Sequence, residues 1–155
     1  MILGLMGALF ANLAHADGFV CMGSETGKKF QIYNHVHPSE GTRKAAVMIL
    51  SNPAASRGQQ TVAIFSDSEK TLKSYGTIYS AVIDLNASGI SRPSELIAGT
   101  TLDQLKKIEV VVYFNYRTDA PTAFFGDTFE GKISYLKLNG EEPEEPTVCT
   151  RYLKH

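Results

Sequence analysis

Lys106-Lys107-Ile108-Glu109-Val110-Val111-Val112-Tyr113-Phe114-Asn115-Tyr116 is the stretch that decides the fold. Read as an extended segment, it puts Ile108, Val110, Val112, Phe114 and Tyr116 on one face. Glu109, Val111, Tyr113, Asn115 and Arg117 fall on the other. Side chains alternate with period two in a strand, so the first face is apolar throughout and the second is mixed. Val, Ile, Tyr and Phe also suit a pleated, packed surface. The segment is expected to be a central strand, with the rest of the chain covering its apolar face.

The flanking sequence repeats this pattern in shorter units. Gly18–Met22, Lys29–Val36, Gln60–Ser66, Thr71–Tyr75, Ile78–Leu85, Thr128–Leu138 and Val148–Leu153 read as strands, and Lys44–Ser51, apolar on both faces, reads as a buried strand or a buried helix turn, with Asn52-Pro53 and the β-branched content favouring strand. Between them lie turn-prone runs: Gly23–Gly27, Asn52–Gln59, the polar Asp67–Lys70, and the acidic Gly140–Pro146, whose charges are expected in water. Thr101-Leu102-Asp103-Gln104 matches a capping box and predicts one helical turn, with Leu102 and Leu105 facing inward. Asn86–Gly99 is the longest segment without periodicity. Its length suits either a functional loop or a crossover between sheets. The pattern predicts an all-β, single-domain antiparallel β-sandwich or barrel of about eight or nine short strands, with at most one helical turn.

The N-terminal segment is of another kind. Residues 1–16, MILGLMGALFANLAHA, carry no charge and end in Ala14-His15-Ala16. An apolar run followed by small residues reads as a secretory signal peptide, cut after Ala16 and leaving a domain of residues 17–155. The run is too short to span a bilayer, which takes about 20 apolar residues, so no membrane span is expected in the mature chain. The usual basic residue ahead of the apolar run is missing. Val20 before Cys21 reads against a lipid anchor. Export to a secreted or periplasmic location implies an oxidising compartment, where the two cysteines, Cys21 and Cys149, are expected to form a disulfide joining the first strand to the last. Their wide spacing and the absence of Trp disfavour an immunoglobulin core.

Composition narrows the function classes. With 15 Lys+Arg against 16 Asp+Glu and no basic block, the chain lacks the clustered charge that nucleic-acid binding requires. There is no Gly-x-Ser-x-Gly elbow and no glycine-rich phosphate loop between a strand and a helix. His35-Val36-His37 with Glu40 is the best metal candidate, because two His at i and i+2 share one face of a strand. The pattern resembles the first motif of the cupin barrels, His-x-His followed by Glu, although the His–Glu spacing is shorter and the flanking glycines are absent. That resemblance implies a metal-dependent enzyme or metal carrier using His35, His37 and Glu40. Two surface His at a strand end before Pro38 is the plainer reading, and no cofactor is expected.

Ala123-Phe124-Phe125-Gly126 places adjacent aromatics after Pro121. Neighbours in an extended segment face opposite ways, so one core cannot easily take both Phe124 and Phe125, and an exposed Phe beside a glycine suits an interface. Asn86-Ala87-Ser88 matches the N-glycosylation sequon. The preferred expectation is a non-enzymatic exported binding protein, such as a secreted inhibitor, whose partner is a protein or an envelope component. A structural surface protein is the third alternative. Oligomeric state is not legible.

Overall fold

The computed structural model describes residues 16–34, 44–116, 118–119 and 124–154. Among the described residues ten strands form in order: β1 Ala16–Gly23, β2 Lys29–Asn34, β3 Lys44–Ser51, β4 Thr61–Lys73, β5 Gly76–Val82, β6 Leu96–Ile97, β7 Thr100–Thr101, β8 Leu105–Val112, β9 Thr128–Lys137 and β10 Glu144–Lys154. Eight of them close an antiparallel barrel in the order β1-β10-β9-β8-β5-β4-β3-β2, while β6 and β7 pair apart as a small hairpin. The architecture is a barrel, not a sandwich, and a closed barrel has no central strand. The only helical segment among the described residues is a 3-10 turn at Leu102–Gln104.

The inward face is set by the alternation already legible in sequence. Ile108, Val110 and Val112 of β8 are fully buried, as are Phe30 and Ile32 of β2 and Ile133 and Tyr135 of β9. An eight-stranded barrel is just wide enough for such side chains to fill. Phe19, Phe114 and Phe129 pack edge to face where β1 and β9 begin and β8 finishes, with ring centroids 5.4 Å apart for Phe19–Phe114 and 4.9 Å for Phe114–Phe129. The charged Lys107, Glu109, Glu130 and Lys132 alternate outward. Among the described residues no helix is long and apolar enough to cross a membrane.

Several local expectations are corrected. β8 ends at Val112 rather than running to Tyr116. The Phe114 amide donates to the Val112 carbonyl at 2.7 Å, and the Thr77 hydroxyl donates to the Phe114 carbonyl at 2.9 Å, so the chain tightens and keeps Phe114 in the barrel. Asp67–Lys70 is not a turn but part of the 13-residue β4. Its register against β3 shifts between Ala46↔Ser68 and Met48↔Phe65, a bulge in which the Ser68 hydroxyl donates to the Phe65 carbonyl at 3.0 Å.

The capping box is not made either. Thr101 bonds Asp103 and Thr100 bonds Gln104 through side chains, with no side-chain cap on the turn. Leu102 and Leu105 do face inward. Glu145, placed in water by its acidic run, is only 2% exposed. Its carboxylate accepts the Tyr135 hydroxyl at 2.6 Å and the Glu25 and Thr26 amides, each at 3.1 Å. Three donors supply what water would have given a buried charge.

Asn86–Gly99 is not a crossover between sheets, since it joins β5 to β8, neighbours in the one barrel. Its Gly89–Arg92 part lies along the edge of β4, where the Ile64 amide donates to the Gly89 carbonyl at 2.7 Å and the Ser91 amide to the Val62 carbonyl at 3.0 Å. A Cβ on Gly89 would stand 2.1 Å from the Ile64 carbonyl oxygen, so this approach needs glycine. Further on, Ile97 and Leu102 plug the lower end of the barrel. Glu95 is clamped there by Lys28 at 2.6 Å, Asn52 at 2.8 Å and Arg92 at 3.3 Å.

Candidate functional site

The opposite, upper end is where β1, β3, β5 and β9 begin and β2, β4, β8 and β10 finish. Polar side chains replace the apolar filling there. Asn34 occupies the inward face of β2 after Phe30 and Ile32. Its side-chain amide donates to Asp17 Oδ1 at 2.8 Å, to the Asp17 carbonyl at 3.1 Å and to the Tyr116 hydroxyl at 2.7 Å. The Tyr79 hydroxyl donates to Asn34 Oδ1 at 3.1 Å and lies 3.4 Å from that of Tyr116. Asp17 Oδ2 accepts from Tyr116 and from Arg151, both at 3.3 Å.

Two cations border this network. The β4–β5 register sets Lys70 directly opposite Tyr79, so it stands on the inward side of the wall, and its ammonium lies 4.1 Å over the Tyr116 ring. The Arg151 guanidinium sits between two rings, 4.9 Å from Phe114 and 4.7 Å from Phe125. A cation over an aromatic face is attracted by the ring quadrupole, and more so when water is excluded.

Burial governs the protonation of the group. It pushes Tyr79 well above the ordinary phenol value, with the neighbouring Tyr116 adding to the shift. Burial, then the Asp17 charge, raises Tyr116 to about 12. Lys70 moves down, because burial disfavours its charge and Asp17 restores only part of it. At neutral pH the phenols therefore act as neutral donors and acceptors around one carboxylate and two cations.

Of the residues singled out in sequence, Cys21 and Cys149 form the disulfide. They face each other directly across β1 and β10, with Cα atoms 4.1 Å apart and both side chains fully buried. Phe124 is 75% and Phe125 49% exposed, so neither is taken into the core. Their turn is tied to the barrel: the Gly126 amide donates to the Arg151 carbonyl at 2.7 Å, and the Arg151 amide to the Asp127 carbonyl at 2.9 Å. The Asp127 carboxylate takes the Phe124 amide at 2.9 Å.

His35, His37 and Glu40 lie outside the described residues. Among the described residues no three His, Cys, Asp or Glu side chains are grouped to hold a metal ion. Sequence reading missed Asp17, Asn34, Lys70, Tyr79, Tyr116 and Arg151. Asn34 and Arg151 did carry a signal, as polar residues continuing the face of Ile32 and of Cys149. Lys70 was hidden by a segment that reads as a turn.

Recesses lie elsewhere among the described residues. A groove of about 580 Å³ opens on the outer wall where β4 and β5 splay, bordered by Phe65, Ser80, Val82, Ile90 and Lys107. One of about 400 Å³ at the lower end is lined by Thr26, Leu96, Ala98, Tyr135 and Glu145. The carboxylate in the second already takes three donors. The mouth, by contrast, joins exposed aromatics to a charged cluster. Comparison with known protein families, with curated proteins and with solved structures found no match for this chain.

Proposed function

We propose that this is an exported, non-enzymatic binding protein that docks a protein or envelope component on the upper mouth of its barrel through Phe124 and Phe125. The observation that carries the reading is the pair of exposed rings on a turn hydrogen-bonded to β10, one of them stacked on Arg151. A ring held in place before contact loses less conformational freedom on binding, which is what makes an aromatic anchor effective. The barrel interior is filled with side chains, so recognition belongs to its rim rather than to a cargo cavity. The buried disulfide is consistent with an oxidising, extracytoplasmic location. Export itself is part of the proposal: cleavage after Ala16 would leave Asp17, a member of the mouth cluster, as the first residue.

The test compares wild type with Phe124→Ser/Phe125→Ser in crosslinking capture from native extract, with melting temperatures measured on both. A discrete partner held by the wild type and lost by an equally stable variant is expected. Equal capture by both proteins refutes the docking role of the two rings. N-terminal sequencing of exported material, expected to begin at Asp17, checks the cleavage.

A further inference from the structure

We infer that the lower end of the barrel is a self-crosslinking site, where Lys28 Nζ displaces ammonia from the Asn52 side chain to form an isopeptide bond, with Glu95 as the acid–base catalyst. The inference is independent of the docking reading and concerns the opposite end of the molecule. Register brings the reactants together. Lys29 pairs with Ser51 across β2 and β3, so Lys28 and Asn52 fall side by side just beyond the ladder. Both turn a nitrogen to one atom: Glu95 Oε1 accepts from Lys28 Nζ at 2.6 Å and from Asn52 Nδ2 at 2.8 Å. An amine and a carboxamide thus stand within two hydrogen bonds of each other, on a carboxylate able to pass a proton between them. The Lys28 and Glu95 side chains are only 8% and 7% exposed, so little water competes. Arg92 reaches Glu95 Oε2 at 3.3 Å and leaves Oε1 to the two reactants. It also favours the ionised carboxylate, so the exchange is slow and the bond follows folding.

Asn52 is prepared as the electrophile. Its backbone amide donates to the Gln60 carbonyl at 2.7 Å, and its Oδ1 accepts the Ala54 amide at 3.1 Å. The second contact fixes which side-chain atom is oxygen and sets a donor where negative charge develops as Cγ is attacked. Pro53 follows and has no N–H, so the usual cyclisation of asparagine onto the next backbone nitrogen is closed. Glu95, held below the ordinary carboxylate range chiefly by the Lys28 hydrogen bond, starts as the base. It takes a proton from the Lys28 ammonium, and the freed lone pair forms the N–Cγ bond. Glu95 then returns the proton to Nδ2 as the Cγ–Nδ2 bond breaks. One ammonium and one carboxamide become a secondary amide and an ammonium ion, with nothing oxidised or reduced. Amides resist amines in water, and holding the pair in contact supplies the missing effective concentration. Freshly folded chain carries the ion pair described above; the matured chain has β2 and β3 joined covalently at the lower end.

The test is mass spectrometry of the full chain, kept folded at neutral pH and sampled over days. The wild type should become lighter by one ammonia. Its tryptic map should gain a branched peptide joining Lys28 to Asn52, with cleavage after Lys28 blocked. The map is needed because Asn139-Gly140 can lose ammonia by cyclising, without a crosslink. Lys28→Arg and Asn52→Ala should give no branched peptide. Glu95→Gln keeps the shape of the side chain but cannot carry the proton, and should slow the crosslink by about a hundredfold or more. Circular dichroism of that variant checks that the β signature is unchanged. Only unlinked Lys28 and Asn52 peptides in folded wild type overturns the inference. A branched peptide that forms equally fast in folded Glu95→Gln, or that joins Lys28 to another residue, overturns it as well. Should Glu95→Gln fail to fold, the wild-type map decides alone.

Discussion

Replacing Cys21 and Cys149 together by alanine removes a crosslink between residues 128 positions apart. In the chain-entropy account, a loop of that length in the unfolded state corresponds to about 5 kcal/mol of stabilisation. Residual structure in the unfolded chain lowers the figure, and half of it, about 2.5 kcal/mol, is a cautious floor. For a domain of this size one kcal/mol shifts the melting temperature by about 4 °C, so a fall of about 10–20 °C is expected. The two fully buried sulfurs add a packing loss on truncation. Reduction of the wild type separates the terms, since the thiols keep the sulfur volume while the crosslink is gone.

The assay is thermal unfolding by circular dichroism of oxidised wild type, reduced wild type and the double alanine variant. Reduced protein should show most of the fall and the alanine variant slightly more, with the β signature intact at low temperature. The eight residue pairs of the β1–β10 ladder do not depend on the bond. A shift under about 3 °C on reduction would refute the entropic argument. Two reactive thiols per chain in denatured, unreduced protein would refute the bond itself.

Lys28→Met alone should cost about 1.5–3 kcal/mol in urea unfolding by removing the closest of the three partners of Glu95, with Arg92 and Asn52 still in place, whereas Lys28→Met with Glu95→Leu should recover most of it. Glu95 is held below the usual carboxylate range chiefly by its hydrogen bond from Lys28, with Asn52 assisting and burial opposing. Its contribution is present above the unfolded value and fades as pH falls through the depressed one, so Glu95→Gln should flatten the acid limb of a stability–pH curve. Tyr116 keeps its proton to about pH 12 and Tyr79 beyond the ordinary range. Absorbance titration should therefore show phenols ionising late, with stability lost as pH climbs from about 10 through the raised values. Tyr135→Phe removes one of three donors to the buried Glu145 carboxylate and should cost about 1.5–3 kcal/mol by urea unfolding.

Period-two alternation carried most of the fold, because inward and outward faces differ so sharply in this chain. The start of the Lys29–Val36 strand followed from it, while Lys44–Ser51, apolar on both faces, was delimited by the Asn52-Pro53 turn after it and its β-branched residues. Closure followed from neither. A sandwich and a barrel place the same residues inside, and only the pairing of β1 with β10 separates them. β4 was cut in two because Asp67-Ser68-Glu69-Lys70 is as polar as a turn, while the bulge that absorbs it depends on the neighbouring strand's register. Glu145 was assigned to water because its donors lie some 120 positions away, at Glu25 and Thr26. The mouth cluster was illegible for the same reason: Asp17, Asn34, Lys70, Tyr79, Tyr116 and Arg151 meet only once the strands are paired. Phe124 and Phe125 could be read locally, since adjacent rings in an extended segment cannot both be buried in one core.

The seam between β1 and β10 has a consequence for the order of assembly. In the described chain the strand that completes the barrel is also the last to be made, so every shorter nascent chain leaves the edges of β1 and β9 without hydrogen-bond partners. Such long-range closure is slow, and open strand edges invite pairing with other chains. A chain stopped ahead of Glu144 would be an open sheet with two adhesive margins and an unpaired Cys21 thiol. Truncation there should produce disulfide-linked aggregates rather than a smaller domain, and the eleven residues of β10 act as a latch that determines when the molecule stops being sticky.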